Sequence, residues 1–182
     1  ERSRGLGDVY KRQEYVLFGD WQVCFQTYAD LYKLDPDTIK IARAREVMEY
    51  QMSTSKLDYW HWVDALYMVM PVMVKMYDIT KNPLYLEKLH QYLTVTDSIM
   101  YDREVGLYYR DAKYPYPFHK TINGKKDFWS RGDGWAFAAF AKVLKQLPAE
   151  DKYREEYITR FQTMAKSIAA CQQPEGYWTR SL

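Results

Sequence analysis

Apolar residues recur three and four apart over six stretches, 21–32, 36–52, 60–79, 83–100, 133–147 and 152–172, and each stretch predicts a helix. The clearest is the set Ala136, Phe137, Phe140, Val143, Leu144 and Leu147, which falls on one helical face. Asp35-Pro36, Asn82-Pro83 and Pro148-Ala149-Glu150-Asp151 mark boundaries, because proline is tolerated at a helix start and acidic side chains favour its positive dipole end. No run of alternating strands intervenes, so the chain reads as all-α. Leu31-Tyr32-Lys33-Leu34, Met76-Tyr77-Asp78-Ile79 and Leu144-Lys145-Gln146-Leu147 each close one helix ahead of a turn and a second helix, which makes the helical pair the repeating unit. Two of the second helices are followed by a glycine–aromatic turn ending in arginine, Gly106-Leu107-Tyr108-Tyr109-Arg110 and Gly176-Tyr177-Trp178-Thr179-Arg180, 70 residues apart. A repeated helical hairpin predicts a solenoid or a closed toroid; the alternative is a chance echo of common turn chemistry.

Composition narrows the partners. The 26 Lys+Arg and 24 Asp+Glu are interspersed, which argues against a nucleic-acid binder and against a polybasic membrane module. With 182 residues, 47% hydrophobic, the chain can bury a core as one domain or as part of a larger one. Its 18 Tyr, 7 Phe and 6 Trp exceed what a helical core needs and suit a cleft that stacks sugars or bases. Cys24 and Cys171 support neither a disulfide framework nor a metal site and read as small buried apolar residues. His61, His90 and His119 lack metal-ligand spacing, so no metal or other cofactor is expected; His90 reads as a surface or partly buried helix residue. No apolar run is long enough to span a bilayer and no signal peptide opens the chain, which predicts a soluble protein of the bacterial cytoplasm or periplasm.

The segment Asp8-Val9-Tyr10-Lys11-Arg12-Gln13 resembles the translation of a transposase adapter used in sequencing libraries, so residues 1–13 are expected to be non-native. The chain also lacks a start methionine and stops in mid-motif, and residues 14–182 are expected to be an internal piece of a catalytic domain.

Three places carry chemistry. In Trp60-His61-Trp62-Val63-Asp64-Ala65-Leu66-Tyr67-Met68-Val69-Met70-Pro71 a single carboxylate lies on a strongly apolar helix. Burial penalises its charged form, so Asp64 is expected to stay protonated toward neutrality and to serve as a general acid; the competing role is a helix cap. Pro71 predicts a kink or a late helix start. Asp20, in Gly19-Asp20-Trp21, is either a cap or a second carboxylate facing Asp64, and paired carboxylates are the usual equipment for acid/base work on glycosides. The densest constellation is Asp127-Phe128-Trp129-Ser130-Arg131-Gly132-Asp133-Gly134-Trp135. Its glycines allow a sharp turn and close ligand approach, Trp129 and Trp135 offer stacking faces, and Arg131 offers a planar fork for a carboxylate. The competing reading is a glycine-rich helix start with Asp133 as its cap. Arg110 and Asp111, with the Pro115, Pro117 and His119 stretch that follows, form a polar aromatic loop too long for a tight turn and are candidate substrate contacts, as is His61 beside Trp62.

Taken in order, Trp62-Val63-Asp64-Ala65-Leu66-Tyr67-Met68, Gly106-Leu107-Tyr108-Tyr109-Arg110-Asp111 and Phe128-Trp129-Ser130-Arg131-Gly132-Asp133-Gly134-Trp135 resemble the unsaturated glucuronyl/rhamnogalacturonyl hydrolases of glycoside hydrolase families 88 and 105. The resemblance runs from Asp20 to Leu182 and implies an (α/α)6 toroid, of which three hairpins are about half. It also implies that Asp64 is the general acid/base, assisted by Asp20, and that the substrate is an oligosaccharide ending in a Δ4,5-unsaturated uronic acid. In that reaction Asp64 protonates C4 of the vinyl ether and then takes a proton from the water adding at C5. The hemiketal opens and the glycosidic bond breaks. Arg131 is the candidate for the uronate carboxylate, with Trp129 and Trp135 stacking the ring. Arg110 and Asp111 stand where many relatives carry a histidine that contacts substrate; His119 is a candidate replacement. Competing functions are another enzyme on the same toroid, an epimerase or a polysaccharide lyase, and a non-catalytic carbohydrate-binding protein.

Overall fold

The computed structural model describes residues 17–182, so the segment expected to derive from an adapter lies outside the described residues. The first predicted helix consists of a single turn, α1 (Gly19–Gln22), and α2 (Cys24–Leu34). They are joined at Val23, which keeps helical dihedrals. Then follow α3 (Ile39–Ser53), α4 (Asp64–Thr80), α5 (Leu84–Met100), a two-stranded antiparallel ladder of β1 (Tyr101–Asp102) and β2 (Leu107–Tyr108), α6 (Ser130–Gln146) and α7 (Arg154–Ala170).

The helices pair as expected: α2 with α3, α4 with α5, α6 with α7. The first members α2, α4 and α6 also pack on one another and form an inner row, and α3 touches α5 in the outer row. The middle inner helix, α4, is the core of the assembly, since every residue from Val69 to Met76 is buried. Its composition allows this, the exception being Lys75, whose ammonium reaches Asp30 on α2. Pro71 lies inside α4 and produces no late start. It lacks the N–H that the Tyr67 carbonyl needs, and Gln26 of α2 supplies the missing donor, its Nε2 lying 2.8 Å from that oxygen. Lys142 of α6 donates in turn to Gln26 Oε1 at 2.8 Å, so one proline is compensated by side chains from both neighbouring inner helices.

The glycine–aromatic turns are equivalent. Gly106 and Gly176 both take positive φ, 78° and 88°, which an L side chain rarely adopts. The carbonyl of Arg110 accepts from Val63 N–H at 2.9 Å and that of Arg180 from Ser130 N–H at 3.0 Å. Trp62 forms an isolated bridge with Asp111, and Trp129 forms one with Ser181. Each turn thus reaches back to the start of the inner helix in its own hairpin. Cys24 and Cys171 are free, but neither is buried: Cys24, at the start of α2, is exposed and Cys171, at the end of α7, is half-buried. His90 is half-buried on α5, with Nε2 2.9 Å from Glu156 and its ring stacked on Tyr153.

Candidate active site

The inner helices start in register. Trp62-Val63-Asp64 and Trp129-Ser130-Arg131 are equivalent through their shared carbonyl contacts, and Phe18-Gly19-Asp20 repeats the same aromatic–small–charged pattern at the first inner helix. Asp64 and Arg131 are therefore presented at one level, at the N-terminal ends of α4 and α6, and Asp20 lies in the single turn α1, which packs against α4.

Asp64 is the first residue of α4, and its side chain makes no cap hydrogen bond; the cap position belongs to Val63. With 9% of its surface exposed, the carboxylate is nearly buried, and its Oδ1 has no hydrogen-bond partner among the described residues. Burial raises its pKa above the ordinary carboxylate value, and the negative charge of Asp20 pushes the same way. Arg131 and Arg110 oppose the rise without cancelling it. Arg131 Nη2 lies 3.6 Å from Asp64 Oδ2, and the guanidinium sits 4.0 Å above the Trp129 ring. A carboxyl group whose neutral form is favoured by burial, beside a cation lying over an aromatic face, can give up a proton and have the resulting charge met at once.

These groups line an open cleft of about 490 Å³. Asp64, Trp129, Arg131, Arg110, Asp111 and His61 all contribute to its wall, which brings six of the nine residues singled out in the sequence into one place. Phe18, Trp62 and Lys113 line it too. Phe18 and Trp62 are stacked, with ring centroids 4.1 Å apart, and the aromatic–small–charged repeat is the signal that would have found both. Asp20 is exposed and does not line the cleft, although its charge reaches Asp64. Trp135 packs on Tyr67 at 4.3 Å, one turn farther along α6. His119 sits outside the cleft, its Nε2 2.7 Å from Asp127, which Arg180 also grips at 2.8 Å.

The glycine-rich segment does not turn sharply. α6 begins at Ser130, so Arg131, Gly132 and Asp133 are already helical, and the cap residue is Trp129. Gly132 is required for helix packing instead, since a Cβ there would lie 2.4 Å from Val63 Cγ1, while Gly134 faces open space. Asp133 is wholly buried and points inward, where its Oδ1 accepts from Tyr108 N–H at 2.8 Å. Burial pushes its pKa up to about 8, against the pull of that backbone hydrogen bond. This bond fastens β2, which leads to Arg110 and Asp111, onto the helix that carries Arg131.

Among the described residues no group of three or more His, Cys, Asp or Glu is arranged to hold a metal ion, and no helix is long and apolar enough to cross a membrane.

Comparison with known proteins places the chain. A solved protein named a polysaccharide lyase is 77% identical and superposes with a TM-score of 0.91, over 92% of this chain and 47% of that one. A family 105 glycoside hydrolase structure from C. acetobutylicum shares the fold at TM-score 0.72 and 21% identity, over 91% of this chain and 50% of that one. The three hairpins are therefore about half of an (α/α)6 toroid. The unsaturated 3S-rhamnoglycuronyl hydrolases of Alteromonas sp. (strain LOR) and Formosa agariphila are 34% and 35% identical, over 68% and 71% of this chain. The chain spans 29% and 36% of the length of those two relatives. With the family model for Glycosyl Hydrolase Family 88 matching residues 7–182, the chain belongs to glycosyl hydrolase family 88.

Proposed function

We propose that this sequence belongs to a hydrolase that removes a Δ4,5-unsaturated uronic acid from the non-reducing end of lyase-generated oligosaccharides, with residues 14–182 supplying part of its catalytic domain. The observation that carries the reading is Asp64: a nearly buried carboxyl group of raised pKa, facing an aromatic-walled cleft 3.6 Å from a guanidinium. The substrate class is supported by the names of the two rhamnoglycuronyl hydrolases.

In this mechanism the uronate carboxylate approaches Arg131, whose planar fork matches it, and the ring lies against Trp129. Asp64 gives its proton to C4 of the C4–C5 double bond, and positive charge develops at C5 and the ring oxygen. The Asp64 carboxylate left behind is stabilised by Arg131 and takes a proton from the water that adds at C5. The resulting hemiketal opens, and the hemiacetal so exposed at C1 releases the rest of the oligosaccharide. Asp20 keeps the Asp64 proton in place by its negative charge. Asp133 holds the strand that leads to Arg110 against α6, and the Asp64-bearing helix packs against the same α6 at Gly132.

The 77% identical protein named a polysaccharide lyase favours a second reading, β-elimination on an intact polymer. Elimination needs a base that is free at the working pH, whereas the raised pKa of Asp64 suits an acid. The two reactions move the ultraviolet absorbance of the conjugated enol in opposite directions. The full-length protein is expected to bleach that absorbance in unsaturated oligosaccharides from pectin or glycosaminoglycans. A rise in absorbance on saturated polymer, without bleaching of any unsaturated fragment, would replace the hydrolase reading with the lyase.

A further inference from the structure

The even charge balance of the whole chain hides a local excess. Between Asp111 and Asp127 stand Lys113, Lys120, Lys125 and Lys126, with no acidic residue among them. Lys126 is occupied by Asp102 and Glu104, each at 2.8 Å. Lys113, Lys120 and Lys125 have no carboxylate partner among the described residues. The same loop bares Tyr116 and Phe118, 45% and 90% exposed, and Lys120 Nζ sits 5.2 Å from the centre of the Tyr116 ring. Isolated exposed aromatics are ordinary on protein surfaces. Two of them interleaved with unpaired ammonium groups, on a loop longer than a connection requires, form a surface of particular chemistry.

The loop is anchored and continuous with the cleft. Ala112 and Lys113 at its inner end form part of the cleft wall. Arg110 Nη1 donates to Tyr114 Oη at 3.0 Å, and the Tyr114 ring packs 4.3 Å from that of His119. His119 is held by Asp127, which is buried and clamped by Arg180. A path of polar and aromatic side chains thus leads from the Asp64–Arg131 centre onto the loop. Ring faces stack on sugars, and ammonium groups pair with carboxylate or sulfate. We infer that residues 113–120 form a binding subsite for the leaving side of the substrate, an anionic oligosaccharide that runs from Asp64 past Lys113 to Lys120 and Phe118. The inference rests on the proposed function, because the unsaturated residue at the chain end must occupy the Asp64 centre for the remainder to extend this way.

The test uses the full-length protein and the unsaturated di- and tetrasaccharide of whichever anionic polymer gives turnover, comparing wild type with Phe118→Ala/Lys120→Ala. The tetrasaccharide carries two sugar residues more than the disaccharide with which to engage the outer part of the loop. The ratio of kcat/KM for tetrasaccharide over disaccharide should fall about tenfold in the double variant, through KM, and added salt should lower the wild-type ratio in the same direction. A ratio unchanged by the substitutions, with both substrates affected equally or neither affected, would overturn the subsite while leaving the Asp64 reading intact. No turnover of any disaccharide by folded wild type would be a different failure, that of the proposed function, and the subsite would fall with it.

Discussion

Removing Arg131 takes away the stronger of the two cations that oppose burial at Asp64, so Arg131→Gln raises the Asp64 pKa further. A general acid works while protonated, and its rate falls as pH rises through its pKa. The alkaline limb of kcat should therefore move to higher pH in Arg131→Gln, while KM rises about tenfold or more through loss of a charged hydrogen bond to the uronate. Asp20→Asn removes a charge that raises the Asp64 pKa and should move the same limb to lower pH; pH–rate profiles of the three proteins check both signs. Asp133 makes a stability prediction. Its folded pKa of about 8 lies above the unfolded value, so folded protein holds a proton that unfolded chain releases between the two. Stability is full below the unfolded pKa, near 3.9, and declines by about 1.4 kcal/mol per pH unit until the folded pKa is passed. Asp133→Asn should remove that part of the slope, which thermal unfolding of both proteins across this window measures. The burial of Asp64 was legible because one carboxylate stood in a run of apolar residues. The inward turn of Asp133 was not, because a helix cap and a buried acceptor for a distant strand look alike in sequence.

At the scale of elements, the six helices were legible because each buries one face at a spacing the sequence displays. Boundaries were less so. α6 starts three residues before Asp133, since Trp129 stays extended to bridge Ser181 and the carbonyl of Arg180 meets the N–H of Ser130, contacts with residues about 50 positions away in sequence. The glycine–aromatic repeat, read in the sequence as the mark of a repeated helical hairpin, is the device that sets those starts. Gly132 shows why a motif full of glycine need not be a turn. Replacing it with alanine should cost about 1–3 kcal/mol by overpacking against Val63. Pairing Gly132→Ala with Val63→Ala should recover part of the loss, and denaturant unfolding of the single and double variants would show whether the two side chains share that space.

At the scale of the molecule, large apolar side chains are bare on the loop after Asp111, at Phe118 and Ile122, on the first hairpin, where Trp21, Leu34, Ile39 and Tyr50 are 56%, 83%, 75% and 61% exposed, and at Tyr177 and Trp178 near the other end of the chain. Apolar surface gathered in this way invites association. Residues 14–182 produced alone should therefore form oligomers, and a monomeric, cooperatively melting sample in light scattering and calorimetry would contradict this. The half-toroid was legible in the hairpin count and in three ordered motifs. The loop after Asp111 was legible only as long and polar, because its lysines are balanced by acids elsewhere and their grouping beside the cleft emerges when the chain is folded.

The central claim is that Asp64 drives loss of the unsaturated uronyl group. Its most direct test is the time course of enol absorbance with wild-type and Asp64→Asn forms of the full-length protein, side by side on the same unsaturated disaccharides. The account predicts steady bleaching with wild type and essentially none with Asp64→Asn, which should still bind the substrate. Bleaching at a comparable rate by a folded Asp64→Asn protein would contradict it.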